Sequence, residues 1–255
     1  MTPHFENADS YDRFMGRFST PLAKLFVDGI APPRDALALD VGCGPGALTR
    51  ELIEALGPGQ VSAVDPSEPF VSAARSRFPG TDIRIAWAES LPYPDDTFDL
   101  TLSQLVIHFI ADPVAAIREM ARVTRPGGRI AANVWDFQGN RGPLGIFQQA
   151  ALDLDPEASV YEITRGTGEG DLLEMFTGAG LADITTGELT VRITFPTFAD
   201  WWDPFTLGIG PAGAYVASLD PDRRAALERH ARELLPAIPF TIAATAWTVT
   251  GHAPR

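Results

Sequence analysis

The segment Leu39-Asp40-Val41-Gly42-Cys43-Gly44-Pro45-Gly46 decides how the rest of the chain is read. Residues Ala36 to Val41 form a short, nearly continuous apolar run, the pattern of a buried strand. Glycines follow in a G-x-G-x-G arrangement. Leu48, Leu52, Ile53 and Leu56 then fall at helical spacing until Gly57-Pro58-Gly59 stops the helix. A glycine-rich turn between strand and helix lets the backbone approach a ligand closely and aims the helix N-terminal amides at it. The next apolar run, Val61 to Val64, ends at Asp65, 19 positions past Gly46. An acidic side chain there can accept hydrogen bonds from both hydroxyls of a ribose, near the ~20-residue spacing of nucleoside-binding folds.

Outward from this unit the same alternation continues to residue 137, which predicts parallel βαβ steps. Ser67 is placed to cap a helix with Phe70, Val71, Ala74 and Phe78 on its apolar face, closed by Pro79-Gly80. A third strand is expected over Asp82 to Trp87, a loop over Ser90 to Thr97 and a fourth strand over Phe98 to Ser103. Asp112-Pro113 starts a helix that Pro126-Gly127-Gly128 is expected to end, and Arg129 to Trp135 is the fifth strand. After a Gly- and Pro-rich loop (Gly139 to Gly145), a helix over Asp171 to Thr177 leads into Ile184 to Phe195, rich in Thr and β-branched residues. A helical or irregular insertion, residues 196–239, separates this strand from a last one over Phe240 to Thr250, and such a pair suits an antiparallel sheet edge. Residues 1–35 are expected to form a helical cap. All 255 residues then make a single domain.

Composition narrows the function. With 45% hydrophobic and 21% charged residues the chain is globular, and its net charge of −13 argues against nucleic acid or an anionic membrane, since a phosphate-tracking surface needs clustered Lys and Arg. The single cysteine, Cys43, leaves no internal disulfide and no cysteine-based zinc site, so no metal is expected; a reducing cytoplasm fits. The polar, acidic start of the chain is unlike a secretory signal.

Two readings of the glycine turn compete. Gly42-x-Gly44-x-x-Ala47 also satisfies the G-x-G-x-x-G/A fingerprint of NAD binding, which would make the chain an oxidoreductase. Against it stand Asp40 just before the glycines, the extra Gly46, and the lack of a second βαβαβ half to carry nicotinamide.

Several ordered motifs weigh on this choice by resemblance. LDVGCGPGALT (Leu39 to Thr49), VDPSEPF (Val64 to Phe70), LPYPDDTFDL (Leu91 to Leu100), SQLVIHFIADP (Ser103 to Pro113) and RVTRPGGRI (Arg122 to Ile130) resemble the class I S-adenosylmethionine-dependent methyltransferases. The match is with the group called methyltransferase type 11, similar to ubiquinone and menaquinone biosynthesis enzymes. The resemblance implies an α/β, Rossmann-like seven-stranded sheet in the order 3-2-1-4-5-7-6, its last strand antiparallel, with S-adenosyl-L-methionine as cofactor. It implies that Asp40, Gly42, Cys43, Gly44 and Gly46 hold the methionine part and that Asp65 holds the ribose. Pro66, Ser67 and Phe70 would line the adenosine side, with Phe70 equally readable as core. Where many relatives have Gly-Asp-Ala-Glu, this chain has Ala86-Trp87-Ala88-Glu89. The Asp expected on the adenine amine is therefore Trp87, leaving Ala88 backbone and Glu89 as contacts. Tyr11 and Arg17 resemble a segment that folds over the cofactor, and both are candidates for its carboxylate.

Methyl transfer from a sulfonium needs nucleophile, methyl and sulfur held in line in a dry pocket, and a base is optional. His108, after the fourth strand, is the candidate base; Ser103 and Gln104 should border the methyl. Trp201, Trp202, Phe205 and Tyr215, among Gly208, Gly210 and Gly213, suit a lid over a small apolar or aromatic acceptor. The same rings would equally serve a small helical core or a homodimer contact. An NAD-dependent oxidoreductase and a methyltransferase-fold protein that binds cofactor without transfer are the two alternatives.

Overall fold

The computed structural model describes residues 12–158, 166–208 and 210–254. Seven strands form one sheet in the order β3-β2-β1-β4-β5-β7-β6: β1 (Ala38–Val41), β2 (Val61–Asp65), β3 (Asp82–Ile85), β4 (Phe98–Gln104), β5 (Thr124–Trp135), β6 (Ala182–Phe195) and β7 (Phe240–His252). The first five pair in parallel, while β7 runs antiparallel to both β5 and β6. The expected order and the antiparallel last strand are both present.

Alternating side chains of β1 explain the layering, because Leu39 and Val41 face one way and Ala38 and Asp40 the other. On the Ala38 face lie α1 (Arg17–Ile30), α2 (Ala47–Leu56) and α3 (Glu68–Arg77). In α1 the residues Phe18, Leu22, Phe26 and Ile30 recur every four positions and are buried against the sheet. On the other face lie α4 (Pro113–Val123) and α6 (Asp171–Gly178), whose buried Ile117, Met120 and Phe176 share a core with Leu39 and Val41. Asp112 caps α4 as expected, its carboxylate accepting the Ala115 N–H at 2.9 Å with Pro113 at the first helical position.

Three expectations change. Pro126-Gly127-Gly128 does not end a helix: α4 stops at Val123, and these residues lie within β5, bonded to the end of β7 through Gly127 N–H to Ala253 O and Ala253 N–H to Gly128 O. β3 stops at Ile85, so Trp87 lies outside it. An unexpected helix, α5 (Gly145–Leu154), follows the Gly- and Pro-rich loop, with Phe147, Ala150 and Ala151 buried. The insertion folds as α7 (Phe198–Trp202), a 3-10 stretch, α8 (Gly210–Ser218) and α9 (Pro221–Leu234). Together with α5 and the start of α1 it shares a core with Trp135 of β5 and with β6 and β7, which seats it over the sheet. Among the described residues no helix is long and apolar enough to cross a membrane.

Candidate functional site

The C-terminal ends of the parallel strands bring the candidate residues together. The glycine turn is held to β2 by Gly42 and Cys43 N–H groups, which donate to Val64 O at 2.8 and 2.9 Å. Gly42, Gly44 and Gly46 all have positive φ, at 77°, 53° and 101°, where any side chain is strained. Their surroundings differ. A Cβ on Gly42 would strike Val106 at 2.5 Å and one on Gly46 would run into the Phe78 ring, whereas one on Gly44 would meet nothing within 4 Å. Two of the glycines thus permit packing, and Gly44 presents bare backbone to open space.

Asp65 closes the turn. Its Oδ2 accepts the Gly44 N–H and its Oδ1 accepts the Ser67 N–H, each at 2.8 Å. A carboxylate has about four acceptor sites, so both oxygens retain capacity for ribose hydroxyls. Burial raises its pKa although both backbone bonds favour the anion. Asp40 is more enclosed: Thr49 Oγ1 donates to its Oδ2 at 2.6 Å, while Oδ1 is buried without a partner. Desolvation, reinforced by the charge of Asp65, pushes its pKa up to about 7. An ammonium group beside Oδ1 would reverse that penalty, and the amino-acid part of the expected cofactor carries one. Burial raises the Cys43 thiol well above its ordinary value, so Cys43 contributes backbone rather than a nucleophile.

The ends of β4 and β5 form the second half of the site. Gln104 Nε2 donates to Ser19 O at 3.0 Å, joining α1 to the sheet, and Gln104 stands beside Asn133 in the ladder. Ser103 Oγ donates to Val41 O at 3.0 Å and is turned toward β1. Leu105 has a φ of +61°, an uncommon conformation for a branched side chain, and the next residue, Val106, packs on Gly42. His108 lies in the 3-10 turn Ile107–Phe109, its ring 3.9 Å from that of Phe109 and 5.9 Å from that of Phe137. Burial pushes its pKa down to about 3, and its Nδ1 has no partner.

Buried polar atoms are normally paired. Among the described residues, eight buried side-chain polar atoms have no partner, and five of them (Ser19 Oγ, Asp40 Oδ1, His108 Nδ1, Asn133 Oδ1 and Trp135 Nε1) belong to this end of β1, β4 and β5 or to the α1 turn bonded to Gln104. This concentration marks the region as polar beneath an apolar cover. Sequence reasoning missed Ser19, Asn133 and Trp135; the one available signal was an Asn in the otherwise apolar run from Ile130 to Trp135.

The remaining candidates divide. Pro66 is exposed and Ser67 half-buried at the mouth, while Phe70 is on the buried face of α3. Ala88 is buried in the core, and Glu89 is half-buried. Arg17 is drawn to the insertion, its Nη1 donating to Asp200 O at 2.6 Å and its guanidinium 5.2 Å from the Phe195 ring centre. Tyr11 lies outside the described residues. Trp201, Trp202 and Phe205 pack on one another and on Phe147, with Phe205 and Phe147 stacked at 4.2 Å, and Tyr215 is half-buried at the edge of this cluster. These rings build the core of the insertion and cover Trp135.

Comparison with known proteins agrees with this geometry. A family model described as a methyltransferase domain matches residues 39–132. The demethylmenaquinone methyltransferase of Roseiflexus castenholzii is 30% identical over 186 residues, covering 62% of this chain and 77% of that protein. The ubiquinone biosynthesis O-methyltransferase of Parvibaculum lavamentivorans is 31% identical over 170 residues, covering 61% of this chain and 66% of the relative. The chain spans between 30% and 48% of the length of six other curated relatives that it matches. Among solved structures, the geranyl diphosphate C-methyltransferase of Streptomyces coelicolor, in complex with Mg2+, geranyl diphosphate and S-adenosyl-L-homocysteine, aligns with a TM-score of 0.55 at 14% identity, over 93% of this chain and 80% of that one.

Proposed function

This chain belongs to the class I S-adenosylmethionine-dependent methyltransferases, and from that premise we propose that it binds S-adenosyl-L-methionine and transfers the methyl group to a small-molecule acceptor in the cytoplasm. The observation that carries this reading is the Gly44–Asp65 pair: bare backbone facing open space, with its N–H on a carboxylate that can still accept two hydroxyls. When bound, the cofactor supplies an electrophilic methyl carbon on a sulfonium.

The chain's own residues bind, orient and exclude water. Asp65 holds the ribose, Asp40 and the backbone of Gly42 to Gly46 hold the amino-acid end, and Pro66, Ser67 and Ala88 border the base. Phe70 supports this wall from the buried face of α3. Gln104, Asn133 and His108 face the acceptor from the ends of β4 and β5. In this account His108 acts through its neutral imidazole, holding the acceptor by hydrogen bond; a group with so low a proton affinity is a weak base near neutral pH. The aromatic insertion, tied to α1 through Arg17 and Asp200, keeps water out of that space.

The NAD reading that Ala47 leaves open has no support from the sheet. The antiparallel β5–β7 and β6–β7 ladders occupy the side where a second parallel half would extend. A screen of small-molecule acceptors coupled to S-adenosylhomocysteine release tests the activity. Turnover that disappears in Asp65→Ala is the expected result. Tight cofactor binding with no acceptor across O, N and C nucleophiles would favour a non-catalytic binding role instead.

A further inference from the structure

Trp87 is 59% exposed, the most exposed of the large apolar side chains among the described residues, and Ile85 two positions earlier is 51% exposed. Neither fills a core gap. Their place in the fold is specific. Ile85 pairs with Asp65 in the parallel β2–β3 ladder, and the ladder continues one step as the Ala86 N–H donates to Asp65 O at 3.2 Å. Trp87 therefore leaves β3 level with Pro66 and Ser67, the residues that follow Asp65 out of β2, across the mouth in which Asp65 would hold a ribose. Buried Ala88 and the Ser90 N–H to Trp87 O bond at 3.1 Å anchor the segment from behind.

The chemistry of this segment is one-sided. Ala86 and Ala88 carry no polar side-chain atoms, and an indole N–H donates but cannot accept. None of the three side chains can take a hydrogen from an exocyclic amine, whereas an indole face can cover any purine. We propose that Trp87 is the platform for the nucleoside base of the cofactor, and that this chain recognises the base by its face rather than through a side chain on its amine edge. The proposal rests on the methyltransferase reading above and adds a consequence that reading does not contain: weak discrimination at position 6 of the purine.

Calorimetry and intrinsic fluorescence with S-adenosylhomocysteine and its 6-oxo analogue, S-inosylhomocysteine, test this on the full chain. Trp87→Ala should weaken S-adenosylhomocysteine binding by roughly 5- to 100-fold, the range for a base on an aromatic face, and Trp87→Phe should retain most of the affinity. The ligand-induced fluorescence change should be lost in Trp87→Phe, and the wild type should bind the inosyl analogue within about tenfold of the adenosyl one, whereas a site that bonds the amine through a side chain rejects such an analogue far more strongly. Unchanged affinity in Trp87→Ala, with an unchanged melting temperature confirming the fold, would overturn the platform; rejection of the inosyl analogue by about a hundredfold or more would overturn face recognition. Absence of S-adenosylhomocysteine binding by the wild type is a separate outcome and would overturn the cofactor assignment itself.

Discussion

The Gly44 N–H donates to Asp65 Oδ2 at 2.8 Å, so the turn after β1 and the acid at the end of β2 are a single unit. Asp65 also accepts the Ser67 N–H, and its loss leaves two backbone donors unpaired. Asp65→Ala should destabilise the protein by about 2 kcal/mol or more, lowering Tm by roughly 4–8 °C for a chain of this size. The same change should weaken S-adenosylhomocysteine binding by roughly a hundredfold, because hydrogen bonds to a charged group are the stronger kind. Differential scanning fluorimetry and calorimetry read the two effects separately.

The glycines should separate by readout. Gly46→Ala drives a methyl into Phe78 at a φ of 101° and should cost stability, by about 2 kcal/mol or more. Gly44→Ala adds its methyl to open space at a φ of 53°, costing only about 1–2 kcal/mol of left-handed strain. Its larger effect should be on cofactor affinity. Equal loss of affinity in two equally stable variants would contradict this division.

Asp40 sets a pH dependence whose sign is fixed by the direction of its shift. Its folded pKa, about 7, lies above the ordinary carboxyl value, so the folded protein binds more protons than the unfolded chain between those values. Its contribution to stability is full below the unfolded pKa and is lost as pH rises through 7. The Tm of Asp40→Asn relative to wild type should therefore increase between pH 5 and pH 8 in the absence of cofactor. Saturating S-adenosylmethionine should shrink that pH-dependent gap, as its ammonium stabilises the carboxylate.

His108 works in the opposite sense. Its pKa of about 3 lies below the ordinary imidazole value, so stability is lost as pH falls from about 6.5 toward 3. In an NMR titration its imidazole should remain neutral at pH 5, while His230, whose pKa is raised chiefly by its hydrogen bond to Asp153, should titrate above the usual range. Protonation of His108 near pH 6.5 would contradict the burial argument.

Much of the fold was legible because its glycine-turn half is local in sequence. Strand, glycine turn, helix and next strand lie within residues 38–65, and apolar spacing with Gly and Asp punctuation specifies them without long-range contacts. The ends of β4 and β5 and the insertion are assembled from distant pieces: Ser19 meets Gln104 across 85 residues, and Arg17 reaches Asp200 across 183. No periodicity encodes such meetings. The aromatic run in the insertion reads identically whether its rings cover a ligand or one another, and only packing shows Phe205 stacked on Phe147. Pro126-Gly127-Gly128 has the look of a helix stop, yet pairing with the far end of β7 draws it into β5.

The central claim is that the turn from Gly42 to Gly46, with Asp65, holds an adenosyl cofactor. Isothermal titration of the wild-type chain with S-adenosylhomocysteine and, separately, with NAD tests it most directly. Saturable 1:1 binding of S-adenosylhomocysteine, weakened by roughly a hundredfold in Asp65→Ala, with no comparable response to NAD, is the expected result. Tight NAD binding without any response to S-adenosylhomocysteine would contradict it.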